Sequence, residues 1–195
     1  MAPWIPLRRV VTDLNQHEVL ATAKSWIETC RTQHEKCFFD STPLLPTRVI
    51  DVGELCHKWA KVHISDKGER GNYVALSYCW GGDQVVVARQ KSLAWLTTVI
   101  PLPKLPRTLS DAIAITPRFG FRYLWVDALC ILQHSPEDKA REIQRMGSNY
   151  KKAVVTIAAA TASRAADGFL LTPRNEPPRR EIQFLSREGE ASTIY

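Results

Sequence analysis

The sequence predicts an α/β domain with a short parallel sheet flanked by helices and a further helix added at the N-terminus. Three observations predict it. Short apolar runs at Tyr73-Val-Ala-Leu-Ser-Tyr78, Arg122-Tyr-Leu-Trp-Val-Asp127 and Ala153-Val-Val-Thr-Ile-Ala158 have the length and character of buried strands. Segments with apolar residues at helical spacing alternate with them, which is the pattern of βαβ units. The chain has 195 residues, 45% apolar and 24% charged, so one domain with a full hydrophobic core is expected.

In chain order, Asn15 followed by Glu18 resembles a capping box, and Val19, Ala23, Trp26, Ile27 and Cys30 then recur at helical spacing, predicting a helix over about residues 16–35. Residues 38–52 contain Pro43 and Pro46 and read as a loop feeding a short strand that begins near Arg48. The polar stretch 57–72 reads as a hairpin or loop. The first apolar run closes at Gly81-Gly82, a tight turn. Thr108 reads as the cap of a helix whose Leu109, Ala112, Ile113, Thr116 and Phe119 share a face, with Gly120 as a left-handed stop and Pro117 shortening or kinking its end. Ser135-Pro136-Glu137-Asp138 combines a capping hydroxyl, a first-turn proline and acids favoured by the helix dipole, and Ile143, Met146 and Tyr150 supply that helix's apolar face. After Gly168 come Pro173, Pro177, Pro178 and a run of charge. The expected division is an N-terminal helical extension over 1–44, a domain over 45–170 and a Pro/Arg-rich linker or arm over 171–195.

Composition narrows the functional classes. The first ten residues hold Trp4, Ile5 and Leu7 but also Pro3, Pro6, Arg8 and Arg9, too interrupted for a signal peptide. The longest apolar runs fall far short of the roughly 20 residues of a membrane span. Five cysteines at irregular spacing fit reduced thiols, so a cytoplasmic protein is expected. The net charge is +6, but no basic patch is interleaved with aromatics, and nucleic acid is not an expected partner. Phosphate-loop and dinucleotide glycine fingerprints are absent, as is a Gly-x-Ser-x-Gly elbow.

Chemistry is expected outside the carboxyl ends of the strands, where loops and helix N-termini converge in open parallel sheets. Ser77, Tyr78, Cys79, Trp80 and Gly81 lie at one such end, and Asp127, Cys130 and Gln133 at another. If the two strands are neighbours, these groups share one cleft. Asp127 reads either as a carboxylate that caps the following turn or as a binding or catalytic group. Cys79 and Cys130 read as small buried residues rather than nucleophiles, because no histidine is plainly paired with either. Trp80 and Trp125 fit core positions or a stack on a planar ligand. Cys30, His34 and Cys37 stand at i, i+4 and i+7 and are zinc-ligand types, with Cys56 or His57 able to complete a tetrahedral set; the same spacing also describes a buried stripe.

Taken together, several stretches resemble one family. They are Tyr73-Val-Ala-Leu-Ser-Tyr-Cys-Trp-Gly81, Leu105-Pro-Arg-Thr-Leu-Ser-Asp-Ala-Ile113, Arg122-Tyr-Leu-Trp-Val-Asp-Ala-Leu-Cys-Ile-Leu-Gln133, and Met146 to Ala153 with Val154-Thr-Ile-Ala-Ala159. The resemblance, over about residues 45–170, is to the fungal heterokaryon-incompatibility (HET) domain, and upstream Cys30/His34/Cys37 and Leu45-Pro-Thr-Arg48 are similar to segments that often precede it. It implies a role in allorecognition and programmed cell death, through self-association or with other death-signalling proteins. HET domains have been compared with TIR domains, flavodoxin-like modules that assemble as adaptors or cleave NAD. This implies a flavodoxin-like or TIR-like sheet and, for an enzyme, NAD as substrate. The enzymatic TIR forms carry a glutamate in a Cys-x-x-Glu pattern; the comparable register here, Cys130-Ile-Leu-Gln133, ends in an amide, which leaves Asp127 or Glu137 as the candidate catalytic carboxylate. The ligand-binding residues implied are Ser77, Tyr78, Trp80, Gly81, Cys130 and Gln133.

Overall fold

The computed structural model describes residues 13–34, 37, 42–55 and 59–170, and the backbone of 182–185 and 191–194. The first ten residues, Cys56, His57 and most of the Pro/Arg-rich tail lie outside the described residues.

Helix α1 spans His17–Gln33 and is followed by strands β1 (Arg48–Asp51), β2 (Lys61–Ile64) and β3 (Tyr73–Ser77). Helices α2 (Gln90–Leu96) and α3 (Arg107–Ile115) lead to β4 (Tyr123–Trp125). The single-turn α4 (Asp127–Cys130), the long α5 (Pro136–Lys152) and β5 (Val155–Ala158) complete the main body. Strands β6 (Ile182–Leu185) and β7 (Ala191–Ile194) form a separate antiparallel pair.

The α/β class and the N-terminal helix are as the sequence predicts. The sheet order is β2-β1-β4-β3-β5. Strand β3 pairs in parallel with β4 on one side and β5 on the other, the order with which doubly wound, flavodoxin-type sheets begin. The sheet as a whole is mixed, because β1 runs antiparallel to both β4 and β2. The polar stretch expected to be a hairpin or loop thus supplies β2, the partner of β1. Strands β3 and β4 are buried on both faces, with Val74, Leu76, Leu124 and Trp125 at most 1% exposed, whereas the edge strand β5 exposes Thr156 and Ala158. Helix α5 is pinned to β3 at two points, where the hydroxyl of Tyr73 donates to the Asn149 carbonyl (2.6 Å) and that of Tyr150 to the Leu76 carbonyl (3.1 Å).

Three local expectations are corrected. Asn15 does not form a capping box: the cap position is Gln16 with no side-chain bond, because the Asn15 side chain and carbonyl accept from Arg118 and so tie α1 to the turn at Pro117–Phe119. Thr108 is not a cap either; it lies inside α3, buried, where its hydroxyl accepts from the Gly168 N–H (3.2 Å). Ile143 is 51% exposed, and α5 buries Asp138, Glu142 and Asn149 instead. The remaining helix signals hold. Ser135 accepts from the Asp138 N–H, α3 stops two residues before Pro117, and Gly120 takes a left-handed φ of 87°.

Asp138 faces Arg48, 5% exposed, on β1, and Glu142 faces the neighbouring Thr47. The Arg48 guanidinium donates to the Asp138 carboxylate and, through Nε, to the Cys130 carbonyl (2.7 Å). The same Asp138 oxygen accepts from the Leu132 N–H (2.9 Å), and Glu142 accepts from the Thr47 hydroxyl (2.9 Å). Burial pushes the Asp138 carboxyl up, but the Arg48 and Leu132 hydrogen bonds and the charges of Arg48 and Arg141 outweigh it and hold the group below its ordinary value. Asp51 is also lowered: burial raises it, while Arg122 and the Gly53 N–H more than offset that.

Removing one member of such a pair leaves a buried charge unmatched. Asp138→Ala, which strips buried Arg48 of this carboxylate, is therefore expected to lower the unfolding free energy by about 3–5 kcal/mol, read from urea denaturation, and Arg48→Ala, which leaves Asp138 its ion pair with Arg141, by less. Because both carboxyls titrate lower in the folded chain than in the unfolded one, their contribution is present above roughly pH 4 and fades on further acidification. Denaturation midpoints should fall below that pH in the native chain, with a smaller fall in Asp138→Ala.

Candidate functional site

Because β3 and β4 are adjacent and parallel, their carboxyl ends open side by side, and the two groups of strand-end residues meet. The indole Nε1 of Trp80 donates to Asp127 Oδ2 at 2.9 Å. The other carboxylate oxygen accepts from the Ala128 N–H at 2.7 Å, at the first turn of α4. Both oxygens therefore have a donor. Tyr78 is half-buried with its phenol against this carboxylate, yet its hydroxyl makes no hydrogen bond of normal geometry. Burial raises the Asp127 pKa above its ordinary value, against the lowering effect of the bonds from Trp80 and Ala128 and of the nearby Tyr78 phenol. Tyr78 is pushed up by burial first and by the Asp127 charge second.

The loops are held around this contact. The Gln133 side chain donates to the carbonyls of Asp127 and Ile131, both at 3.0 Å, while its N–H donates to the Ala88 carbonyl (2.9 Å) and the Ala88 N–H to that of Ala128 (2.8 Å). Gln133 is thus a latch joining the β3 and β4 loops. A glutamate at this position would set a carboxylate against two carbonyl oxygens, a physical reason for the amide in that register. Gly81 has φ 67°, and a Cβ there would lie 2.2 Å from Cγ of Arg164. The loop after β5 closes over it, with the Ala165 N–H donating to the Trp80 carbonyl (3.2 Å). This is the crevice between β3 and β5, from which the chain departs in opposite directions across the sheet.

The other candidates separate from this cluster. Ser77 is exposed at the end of β3, its carbonyl accepting from Ala159 (2.9 Å). Cys130 is buried, burial pushes its thiol up to about 12, and Sγ accepts from the Val126 N–H (3.4 Å), so it is no ready nucleophile. Cys79 is exposed, and so is His134. Trp125 is a core residue packed edge-on against Tyr150, with centroids 5.3 Å apart. Glu137 is exposed on the first turn of α5, where it accepts from Ser135 (3.2 Å), and is not among the groups that perturb Asp127.

Two contributors escaped the sequence reading. Tyr150, assigned to an apolar face, lies close enough for the Asp127 charge to raise its pKa, after burial. Gln84 donates to the carbonyls of Trp80 (3.0 Å) and Gly82 (3.2 Å) and leaves its buried Oε1 without a partner. Of the three buried side-chain polar atoms without a hydrogen bond among the described residues, Tyr78 Oη and Gln84 Oε1 both belong to this site. Polar atoms left over next to a glycine turn are the signal that a pattern of residue types alone does not carry.

Elsewhere, one ligand atom from each of Cys30, His34 and Cys37 lies within 4.8 Å of the others. The helix does not run through all three as the spacing suggested. It stops at Gln33, His34 is extended, and the Cys37 N–H donating to the His34 carbonyl (2.9 Å) turns the chain back. A groove of about 560 Å³ runs between α1 and β5, lined among others by Val19, Trp26, Ile27, Val155, Ile157 and Phe169.

A partly parallel α/β domain with an indole-to-carboxylate contact joining two strand ends is the class of protein these features define. A family model described as Heterokaryon incompatibility protein (HET) matches residues 73–193, more than half of the chain. The chain belongs to the heterokaryon-incompatibility family. No curated protein and no solved structure shows a significant match to it.

The latch and the turn make separable predictions. Gln133→Glu is expected to destabilise the chain by about 1–3 kcal/mol in chemical denaturation, since it exchanges two donated bonds for repulsion. Gly81→Ala, opposed by both φ and Arg164, should cost about 1–3 kcal/mol of strain by the same measurement, whereas Gly68→Ala, with φ 85° but open space, should cost less.

Proposed function

We propose that the chain is an effector domain of heterokaryon incompatibility, acting in non-self recognition and regulated cell death in the fungal cytoplasm through self-association. Family membership supports the setting. The observation that carries assembly over catalysis is that the carboxylate with the best strand-end position is already engaged. Both oxygens of Asp127 accept internal bonds, and the residue in the register of the TIR-type glutamate is an amide that donates to two carbonyls of its own loop.

Surfaces suited to assembly are present. Strand β5 is an edge of the sheet, and Trp26 is 61% exposed on the rim of the apolar groove beside it. None of the described helices is long and apolar enough to cross a membrane.

A second reading, favoured by the unpartnered Tyr78 hydroxyl beside a carboxylate whose pKa burial raises and by the unpartnered Gln84 oxygen in the adjoining glycine turn, is a nucleotide-processing site that cleaves NAD. In that reading Asp127 stabilises the developing positive charge of the ribosyl group, and Trp80 and Tyr78 line the pocket. The domain division expected from the sequence, with a helical extension before residue 45 and an arm after 170, belongs to the same proposal.

The test combines assembly with turnover. In sedimentation at rising concentration the native chain is expected to associate, and Trp26→Asp to shift association to at least ten-fold higher concentration and to weaken killing in a fungal expression assay. A monomer at all concentrations that still kills would overturn the assembly reading. Incubation with NAD separates the alternatives: nicotinamide release that disappears in Tyr78→Phe and in Asp127→Asn, with both variants folded, would establish the enzyme. Asp127→Ala is expected to abolish killing in either case.

A further inference from the structure

The Cys30, His34 and Cys37 cluster is outside the strand-end site and is independent of either reading of it. A thiol, an imidazole and a second thiol converge from the last turn of α1 and the turn after it. Convergence is built into the backbone, since the bond from Cys37 N–H to the His34 carbonyl closes the turn that returns Cys37 toward the helix end. Both cysteines are free and half-buried, and His34 is exposed.

In a tetrahedral site with bonds of about 2.0–2.3 Å, neighbouring ligand atoms stand about 3.6–3.8 Å apart. The observed separations, all within 4.8 Å, stand close to that spacing. We propose that Cys30, His34 and Cys37 bind a zinc ion, as three of its four ligands. Two thiolates and an imidazole select a soft or borderline cation over magnesium or calcium, which take oxygen ligands. Two thiolates balance the charge of the divalent ion. The fourth position takes water or a further protein ligand.

The role this assigns is structural. The ion fastens the end of α1 to the segment that runs on to β1, and it adjoins the apolar groove, which Cys30 helps to line. Fixing the helix there restricts the wall that carries Trp26.

The experiment uses the full chain, purified anaerobically with reductant and without chelator from zinc-supplemented cells. An equimolar amount of zinc is expected by mass spectrometry of the elements, falling to background in a Cys30→Ser, Cys37→Ser double variant. Cobalt added to metal-depleted native chain should give a thiolate-to-metal charge-transfer band that zinc displaces. Because the variant could fail to fold, location is also read in the native chain: zinc should slow alkylation of Cys30 and Cys37 by at least ten-fold and leave exposed Cys79 unchanged. Absence of stoichiometric metal and of the cobalt band in the reduced chain would overturn the proposal. So would alkylation of Cys30 and Cys37 at the same rate with and without zinc, or full zinc retention by the double variant.

Discussion

The guanidinium of Arg48, buried between β1 and α5, holds the carboxyl ends of the strands in place. It binds the Asp138 carboxylate and the carbonyl that ends α4, while the same Asp138 oxygen takes the Leu132 N–H. One side chain on an antiparallel strand thereby fixes where α4 ends and where α5 begins. Asp127 opens α4, so its position against Trp80 inherits that constraint. A buried ion pair contributes less to net stability than an apolar contact of equal volume, because desolvation offsets the attraction; its value is a defined geometry. In this fold the geometry it defines is that of the site.

The parallel core was legible because β3 and β4, covered on both faces, need apolar runs, and the edge strand β5, with Thr156 and Ala158 exposed, is still marked by the apolar run around Val154. Strand β2 was not, because an edge strand solvated on one side tolerates Lys61 and His63, the latter bonded to Glu69 at 2.9 Å. The α5 start was legible from local capping chemistry, whereas its buried face was not. Amphipathic periodicity assigns charge to solvent, and Asp138 and Glu142 are buried because Arg48 and Thr47 arrive from ninety and more residues away in the chain. The same limit explains Asn15 and Thr108, whose side chains look like caps and instead serve Arg118 and Gly168.

The site was legible in part. Placing reactive residue types at two strand ends, with the condition that the strands be neighbours, located the Trp80–Asp127 contact. The function of Gln133 was not accessible, since its motif position invites comparison with a catalytic carboxylate while its amide works as a donor to backbone. Gln84 and Tyr150 were hidden for another reason: one lies in a polar loop and the other on a helix, and only the bond of Gln84 to the Trp80 carbonyl and the closeness of Tyr150 to Asp127 give them meaning.

The insertion of β1 between β2 and β4 bears on how this fold can be divided. The family match begins at Tyr73, yet β4 has its second hydrogen-bonding partner in β1, residues earlier in the chain. A protease cut or gene fusion that separated the chain just before Tyr73 would strip one side of β4, open a new sheet edge and leave Asp138 and Glu142 buried without Arg48 and Thr47. The segment that matches the family model therefore omits two strands of the sheet it belongs to, since the hydrogen-bonded sheet runs on from β4 through β1 to β2.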